Sequence, residues 1–260
     1  MHEINQLIDF STWTGNWPFY HLRYRELNTL KNKLKSMNVV KAFIAPIESI
    51  LEHDPLRADM QLLDYIKNDE FFSPVIIVDM SYANWEDAVD LAVRDKRVKM
   101  VKLLPNYHMY DFTENNITPL IEKTLENNLL VSIQMRVEDA RGQYPLMKVE
   151  DMDIQQVVKT ISYFPEQIFI LNNCYKQDLI EVLFSVENAY VDLSGLENHN
   201  LLRYLKELSS LERILFSSHC PFYYPEGNLY KLKYADLPVE EIEKVEFRNG
   251  QKLLKKLESK

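Results

Sequence analysis

Short apolar runs rich in β-branched residues recur along the chain, and a segment with the apolar spacing of an amphipathic helix follows each of them. Some runs, such as Pro74–Val78, are apolar at successive positions, which is typical of strands covered on both faces in a parallel sheet. Eight strands are predicted by this pattern: Leu7–Thr12, Val39–Pro46, Ser73–Met80, Val98–Leu104, Leu130–Arg136, Gln167–Leu171, Ala189–Leu193 and Arg213–Ser217.

The segments between these runs have the length and periodicity of helices. They are Leu22–Met37, Leu56–Lys67, Trp85–Arg94, Ile117–Asn127, Ile154–Tyr163, Gln177–Phe184, Leu201–Leu208 and a closing helix, Val239–Leu257. Eight alternating pairs in a chain of this length predict an α/β fold of the (β/α)₈ TIM-barrel class. The competing open, doubly wound sheet usually carries a Gly-rich first turn, which this sequence lacks. Because no linker or repeat divides the chain, we expect one domain over residues 1–260.

Composition narrows the choice of function. The chain has only five glycines in 260 residues, which excludes a Gly-rich phosphate loop. Its net charge of −9 argues against a nucleic-acid partner, since such partners are held largely by Lys and Arg. We therefore expect a small-molecule partner, with a homo-oligomer as a further possibility.

Cysteine usage and hydropathy bear on the compartment. Cys174 and Cys220 are too few for a disulfide framework and stand in no Cys-x-x-Cys pair, so reduced thiols are expected. The first residues have no signal-peptide pattern, and no window reaches the roughly 20 apolar residues of a membrane span. These features predict a cytoplasmic protein without a membrane partner.

Catalytic residues of a TIM barrel come from the carboxyl ends of its strands and the loops that follow them. The longest predicted loops follow the first, fourth, fifth and eighth strands. The polar or aromatic residues at the predicted strand ends are Asp9, Ser11, Trp13, Lys102, Asn106, His108, Gln134, Arg136, Glu138, Asp139, Asn172, Asn173, Asp192, Ser194, Ser218 and His219.

His219 and Asp9 are the candidate catalytic residues. A histidine that ends an apolar strand can act as a general base or a metal ligand, but it can equally be a buried histidine that hydrogen-bonds a loop carbonyl. Asp9 is a candidate base or a structural partner. The two interpretations of each residue remain open at this level.

Arg136 and Lys102 carry charges at buried positions of apolar strands, which is costly unless each meets a carboxylate or an anionic ligand. We expect Arg136 to hold an anionic ligand, because its planar fork suits a carboxylate. For Lys102 we favour an internal ion pair with Asp9, Glu138 or Asp139.

Other candidate binding residues have weaker support. His108 lies in a loop with two tyrosines, where ligand contact and simple packing are comparable explanations. The aromatic cluster that includes Trp13 and Trp17 either packs the first loop or forms the apolar wall of a pocket. The neutral side chains of Ser11, Gln134, Asn172 and Asn173 could bind a ligand by hydrogen bonds. The sequence lacks His-x-His, His-Glu-x-x-His and Gly-x-Ser-x-Gly, the general metal and nucleophile motifs.

Several strand ends resemble the amidohydrolase superfamily, specifically its amidohydrolase-related branch of metal-dependent hydrolases and decarboxylases. Ile8–Gly15 is similar to that branch's Ile-Asp-x-His-x-His-x-Gly, and Leu215–Phe222 to its Leu-Phe-Gly-Ser-Asp-x-Pro-Phe. Val98–Tyr107 and Asn249–Leu254 also fit the family, so the likeness spans almost the whole chain. The resemblance implies a TIM barrel with a hydrolase-like site at the barrel mouth.

The family's metal ligands do not carry over. Ser11 and Trp13 stand where the resemblance expects two histidines, Gln134 replaces the strand-five histidine, and Asn172 or Asn173 the strand-six histidine. His219 stands at the strand-eight aspartate. Since these side chains are poor zinc ligands or a changed ligand type, we expect no metal and no other cofactor, with a divalent metal such as zinc as the alternative.

Two functions follow. The first is a hydrolase of a small polar or carboxylate-bearing lactone, ester or amide, with His219 as base, Asp9 orienting or protonating, and Arg136 with Lys102 holding the anion. The second is a non-catalytic ligand-binding or structural pseudoenzyme, favoured if His219 is paired internally and Trp13 or Trp17 plugs the mouth. An unusual metal held by Asp9, His219 and His108 is a third, smaller possibility.

Overall fold

Eight parallel strands lie side by side in sequence order, from β1 to β8. A computed structural model describes residues 2–52, 54–198 and 200–258; Met1, His53, His199, Ser259 and Lys260 of the expected domain lie outside the described residues. The strands are β1 Leu7–Thr14, β2 Val39–Pro46, β3 Phe72–Ile77, β4 Met100–Leu103, β5 Leu130–Gln134, β6 Phe169–Asn172, β7 Ala189–Asp192 and β8 Ile214–Leu215.

Backbone hydrogen bonds close the sheet between β1 and the segment after β8. The Phe10 N–H donates to the Phe216 carbonyl (3.1 Å), and the His219 N–H donates to the Ser11 carbonyl (2.9 Å). This closure confirms the predicted (β/α)₈ barrel and rules out the open sheet.

Helices alternate with the strands. They are α1 Leu27–Lys35, α2 Pro55–Tyr65, α3 Trp85–Arg94, α4 Glu114–Glu126, α5 Ile154–Ser162, α6 Lys176–Ser185, α7 Leu201–Leu208, α8 Pro225–Lys233, α9 Val239–Glu243 and α10 Asn249–Glu258. A 3₁₀ turn, Glu48–Ile50, precedes α2, and a π-helical turn, Lys244–Arg248, joins α9 to α10.

Two helix predictions differ from the structure for physical reasons. The first helix begins at Leu27 instead of Leu22, because the Arg25 carbonyl accepts the Gly15 N–H and the Thr14 hydroxyl, both at 2.8 Å, and is held at the end of β1. The predicted closing helix, Val239–Leu257, is interrupted by the π-helical turn. The stretch after β8, predicted as a loop, contains α8, which begins with Pro225 in its first turn.

The core has two layers: one between the strands and the surrounding helices, and one inside the lower barrel. Inside, Phe10 stacks on Phe43 with ring centroids 4.8 Å apart. α10 packs against this end at Gly250, where a Cβ would lie 2.5 Å from the Phe10 ring. Apolar side chains therefore fill the lower barrel, and polar groups occupy the upper half.

No helix within the described ranges combines the length and the apolar character needed to cross a membrane.

Candidate functional site

Lys102 lies at the centre of the upper barrel, and its side chain is buried. Its Nζ donates hydrogen bonds to Ser11 Oγ at 3.2 Å, Gln134 Oε1 at 3.0 Å and Asn172 Oδ1 at 3.0 Å. β1, β5 and β6 each supply one of these acceptors, because alternate side chains of a barrel strand point inward. We use the name barrel centre for Lys102, its three acceptors and the buried residues beside them, which are Asp9, Trp13, Asp192 and His219.

The face of Trp13 covers the ammonium of Lys102, with Nζ 4.6 Å from the ring centroid. Burial lowers the pKa of Lys102 to about 7, although the nearby charges of Asp192 and Asp9 act in the opposite direction. The expected ion pair of Lys102 with Asp9, Glu138 or Asp139 is wrong in detail. The hydrogen-bond partners are neutral oxygens, and Asp9 acts only through its charge.

Asp9 lies on β1 and is buried beside this cluster, next to the segment that follows β8. Its Oδ1 accepts the backbone N–H groups of Ser11 (3.2 Å) and Ser218 (2.9 Å), while Oδ2 has no hydrogen-bond partner among the described residues. Burial raises the pKa of Asp9 to about 7. Asp9 therefore combines a carboxylate oxygen that has no hydrogen-bond partner among the described residues with a pKa close to neutral pH.

Asp192, at the end of β7, is the most heavily hydrogen-bonded carboxylate of the barrel centre. It accepts the side-chain amide of Asn172 (2.8 Å), the backbone N–H groups of Asn173 (3.1 Å) and Ser194 (3.0 Å), and the Ser194 hydroxyl (2.7 Å). The sequence predicted that Asp192 lies at a strand end but assigned no function to this residue. Its position in an alternating buried strand is the only sequence signal that could have identified it.

Both ring nitrogens of His219 are engaged. Nε2 lies 2.7 Å from the Val137 carbonyl, and Trp13 Nε1–H lies 3.3 Å from Nδ1, so Nε2 donates and Nδ1 accepts. Burial lowers the pKa of His219 to about 4, which keeps the ring neutral. The backbone of His219 is left-handed, with φ of 52°, a strained conformation for this residue type. In this arrangement His219 has no lone pair left to act as the predicted general base.

Arg136 does not face an open ligand position. Its guanidinium lies 2.9 Å from Asp151 and 2.9 Å from Asp178, and it stacks on the Tyr175 ring with Cζ 3.5 Å from the centroid. The expected ligand contact is thus replaced by internal ion pairs, which are supplied by the loop after β5 and by α6.

His108 and Asn173 also serve packing. His108 Nε2 lies 3.2 Å from the Ser49 carbonyl and Nδ1 lies 3.8 Å from Asp79, remote from the contacts of Lys102. The Asn173 amide donates to the Arg136 carbonyl (2.9 Å) and lies 3.0 Å from the Tyr223 hydroxyl. The metal arrangement of Asp9, His219 and His108 does not form.

A cavity of about 620 Å³ opens above β7 and β8, at the carboxyl ends of the strands. Its walls come from the loops after β5, β7 and β8, from the start of α7 and from α8, and we call it the mouth cavity. The lining residues are Asp139, Ser194, Gly195, Glu197, Asn198, Asn200, Leu201, Phe222, Tyr223, Tyr224, Gly227, Asn228, Tyr230, Lys231 and Tyr234.

Phe222 and Tyr223 separate this cavity from the barrel centre. Their rings lie over His219, with centroids 5.5 Å and 4.9 Å from the imidazole. His219, Lys102 and Asp9 are buried beneath them and do not line the mouth cavity.

Lys231 is the cation of the mouth cavity. Its Nζ donates to the Leu193 carbonyl (2.7 Å) and to Asn228 Oδ1 (2.6 Å), and burial lowers its pKa to about 8. Two of its three N–H groups are used, so one can reach a ligand. Lys231 could not be identified from the sequence, because a lysine in a short helix of mixed character gives no signal of its own.

No protein-family model matches the chain, and no curated protein matches it. Several solved structures share its fold. A 2,6-dihydroxybenzoate decarboxylase complexed with 2,6-dihydroxybenzoate is 11% identical with a TM-score of 0.71, and the alignment covers 97% of this chain and 100% of that one. A protein described as amidohydrolase II is 14% identical with a TM-score of 0.67, covering 96% and 100%.

A third similar structure is a dihydroxybenzoic acid decarboxylase from Polaromonas sp. JS666, 12% identical with a TM-score of 0.72 and 97% of both chains covered. These comparisons confirm the TIM barrel, and the neighbours are barrels of the amidohydrolase superfamily, as the sequence resemblance predicted. At such identities they establish the fold alone.

The Polaromonas enzyme corrects one expectation. It was solved with bound manganese and the inhibitor 2-nitroresorcinol. The prediction of no cofactor, with a divalent metal such as zinc as the alternative, is therefore contradicted, since a barrel of this fold was solved with manganese.

The barrel centre of this chain does not itself fit a divalent cation. The Lys102 Nζ occupies its middle and donates to three neutral oxygens, and in its protonated form it repels a metal ion. Within residues 2–52, 54–198 and 200–258, no group of three or more His, Cys, Asp or Glu side chains could hold a metal.

Proposed function

We propose that this chain binds a small, aromatic, carboxylate-bearing molecule in the mouth cavity. The observation that carries this proposal is the position of Lys231, a half-buried cation with two of its three N–H groups used within the fold, in a cavity of about 620 Å³ walled by aromatic rings. A cavity of this size and lining is typical of small-molecule sites, in which apolar walls surround a few polar groups.

The lining matches the two halves of such a ligand. Phe222, Tyr223 and Tyr230 offer aromatic surface against which a ring can stack. The Lys231 ammonium offers a charge-assisted hydrogen bond to a carboxylate. Two decarboxylases of the same fold were solved with compounds of related chemistry, 2,6-dihydroxybenzoate and 2-nitroresorcinol, which supports a phenolic acid as the ligand class.

Acidic residues at the rim favour a single anionic group pointing toward Lys231. Asp139 and Glu197 both contact Arg141, at 2.7 Å and 3.3 Å, so their charges are partly compensated. A second carboxylate on the ligand would approach them and be repelled. The cavity therefore fits a monocarboxylate better than a dicarboxylate.

Hydrolysis of a small lactone, ester or amide is the second candidate, and the Asp9 carboxylate favours it. Asp9 has an oxygen without a hydrogen-bond partner in the part of the chain that the structure describes, and a pKa of about 7, which suits a group that takes a proton from an attacking water. Clusters of buried groups with shifted pKa values are common at active sites. This activity requires Phe222 and Tyr223 to move, because they cover the barrel centre.

Calorimetric titration with 2,6-dihydroxybenzoate tests the binding proposal. We expect saturable binding that weakens about tenfold in Lys231→Gln, which keeps most of the side-chain volume but removes the charge. Lys233→Gln, on the same helix outside the cavity lining, is the matched control and should bind as the unmodified protein does.

Equal binding by the Lys231→Gln and Lys233→Gln variants, or no saturable heat, would overturn the proposal. A panel of lactones and aryl esters tests the second candidate in parallel. Turnover that survives Lys231→Gln but is lost in Asp9→Asn would favour hydrolysis at the barrel centre over binding at the mouth.

A further inference from the structure

A second cavity, of about 720 Å³, lies at the opposite face of the barrel. It forms where the beginnings of β2 and β3 and the residues just before β4 meet the last turns of α10. We call it the basal cavity. The residues that matter for its chemistry are Lys41, Ser73, Lys96, Lys99, Glu70 and Glu258.

Three of these lysines are not neutralised by contacts. For Lys41, Lys96 and Lys99, the described part of the chain provides no carboxylate within 4.0 Å and no hydrogen-bond acceptor. The other two basic residues of the lining are engaged: Lys67 pairs with Asp64 at 3.0 Å, and the Arg97 guanidinium binds Asp95 and two carbonyls at the end of α2, those of Leu63 and Ile66. In a chain of net charge −9, three lysines without a partner in residues 2–52, 54–198 and 200–258 therefore lie at one cavity.

Lys41 and Lys99 lie close enough for their charges to interact. Burial and the charge of Lys99 both lower the pKa of Lys41, whereas Glu258 and Glu70 act in the opposite direction without forming an ion pair. The third acid of the lining, Asp69, is bound by Lys31 at 2.6 Å and by the Phe71 N–H at 2.9 Å. Two like charges at a half-buried position are unfavourable, and an anion placed between them would remove the repulsion.

A neutral donor completes the arrangement. Ser73, near the beginning of β3, is buried and lines the cavity, and its hydroxyl has no hydrogen-bond partner elsewhere in residues 2–52, 54–198 and 200–258. A hydroxyl beside ammonium groups is a donor set that suits a tetrahedral oxyanion, to which lysine binds as a point charge. A planar carboxylate would be served better by an arginine fork, and that of Arg97 is already occupied.

We propose that the basal cavity binds a phosphate group through Lys41, Lys99 and the Ser73 hydroxyl, with Lys96 adding charge at the rim. This site is independent of the mouth cavity, because it lies at the other end of the barrel and shares no residue with it. A failure of either proposal therefore leaves the other unaffected.

Titration calorimetry with inorganic phosphate and with phenyl phosphate tests the site. We expect saturable binding of at least one of them, with a dissociation constant on the order of 1 mM or lower. Similar affinities would assign a free phosphate ion, and tighter binding of phenyl phosphate would assign a phosphate ester. Repeating the titration at a constant ionic strength set with sodium chloride separates binding from screening.

Lys41→Gln and Lys99→Gln should each weaken phosphate binding about tenfold, and the double variant should abolish it. Lys159→Gln, an exposed lysine on α5 outside both cavity linings, is the control and should leave the affinity unchanged. Thermal unfolding of each variant verifies that it is folded. Absence of saturable phosphate binding, an affinity equal in Lys41→Gln and Lys159→Gln, or tighter binding of citrate than of either phosphate would overturn the proposal.

Discussion

The barrel centre and the mouth cavity lie next to each other but use polar groups in opposite ways. In the barrel centre, Lys102, Asp192 and His219 are buried and satisfied by neighbours within the fold. In the mouth cavity, Lys231 keeps a free N–H, and Tyr224 is 76% exposed and Tyr230 51% exposed. Phe222 and Tyr223 line the mouth cavity and lie over His219 of the barrel centre.

This difference distinguishes residues that stabilise the fold from residues that can bind a ligand. A buried charge costs several kcal/mol in desolvation, which its partners must offset, so the groups of the barrel centre are fixed by the fold. A partly exposed cation loses less hydration and can exchange water for a ligand. Substitutions in the barrel centre should therefore change stability first, and substitutions in the mouth cavity should change binding first.

The largest effect is expected for Asp192→Ala. The substitution removes the acceptor of four hydrogen bonds, including two backbone N–H groups, and takes away a negative charge near Lys102. Breaking such a buried network costs roughly 3–5 kcal/mol. Urea unfolding followed by circular dichroism measures the loss.

Glu122→Ala is the matched control, because Glu122 is an exposed carboxylate on α4. A surface change of this kind should stay within about 0.5 kcal/mol. If Asp192→Ala cost no more than the control, the barrel centre would not be the stabilising network described above.

The second effect is a pH dependence set by Asp9. Its pKa rises from 3.8 to about 7 on folding, so between these values the folded protein holds a proton that the unfolded chain releases. The stability gained from this proton is complete below pH 3.8 and is lost as the pH rises through 7. The contribution of Lys102 to the free energy of unfolding changes with pH in the opposite direction. Its lowered pKa favours the folded state only as the pH rises above about 7.

Asp9→Asn mimics the protonated carboxyl and retains an oxygen for the Ser11 and Ser218 N–H groups. Relative to this variant, the unmodified protein should lose on the order of 2–4 kcal/mol of unfolding free energy between about pH 4 and about pH 8. Urea titrations at a series of pH values provide the comparison. Parallel pH profiles would contradict a raised pKa for Asp9.

The strand pattern was sufficient to predict the barrel, because eight apolar runs covered on both faces leave few arrangements other than a closed parallel sheet. It did not predict α8, where Gly227 interrupts a segment whose buried apolar residues are Pro225, Leu229 and Leu232. That helix carries Lys231, so the missed helix and the missed mouth cavity have one cause.

The sequence predicted several residues of the barrel centre, but it did not predict the contacts between them. Alternation along the strands placed Ser11, Lys102, Gln134 and Asn172 inside, but it could not say which would pair. The contact between Lys102 and Asn172 spans 70 residues of sequence, and such pairings depend on strand register and tilt. For Arg136, the partners Asp151 and Asp178 belong to a loop and a helix whose approach no periodicity encodes.

The smallest effect concerns Trp13, which contacts both Lys102 and His219 in the barrel centre. Trp13→Phe removes the N–H that reaches Nδ1 of His219 and leaves this buried acceptor without its donor, while the aromatic face over Lys102 is retained. We expect a loss of about 1–2 kcal/mol in unfolding free energy. Trp85→Phe, a half-buried indole on α3, is the control and should lose less, because its N–H has no comparable buried acceptor among the described residues.

Nitrogen-detected NMR of the imidazole distinguishes this loss from a general packing defect. The Val137 carbonyl still accepts from Nε2 in Trp13→Phe, so the ring should keep its proton on Nε2. The Nδ1 resonance alone should move, because only its hydrogen bond is lost. A switch of the proton to Nδ1 would mean that Trp13, and not Val137, fixes the tautomer of His219.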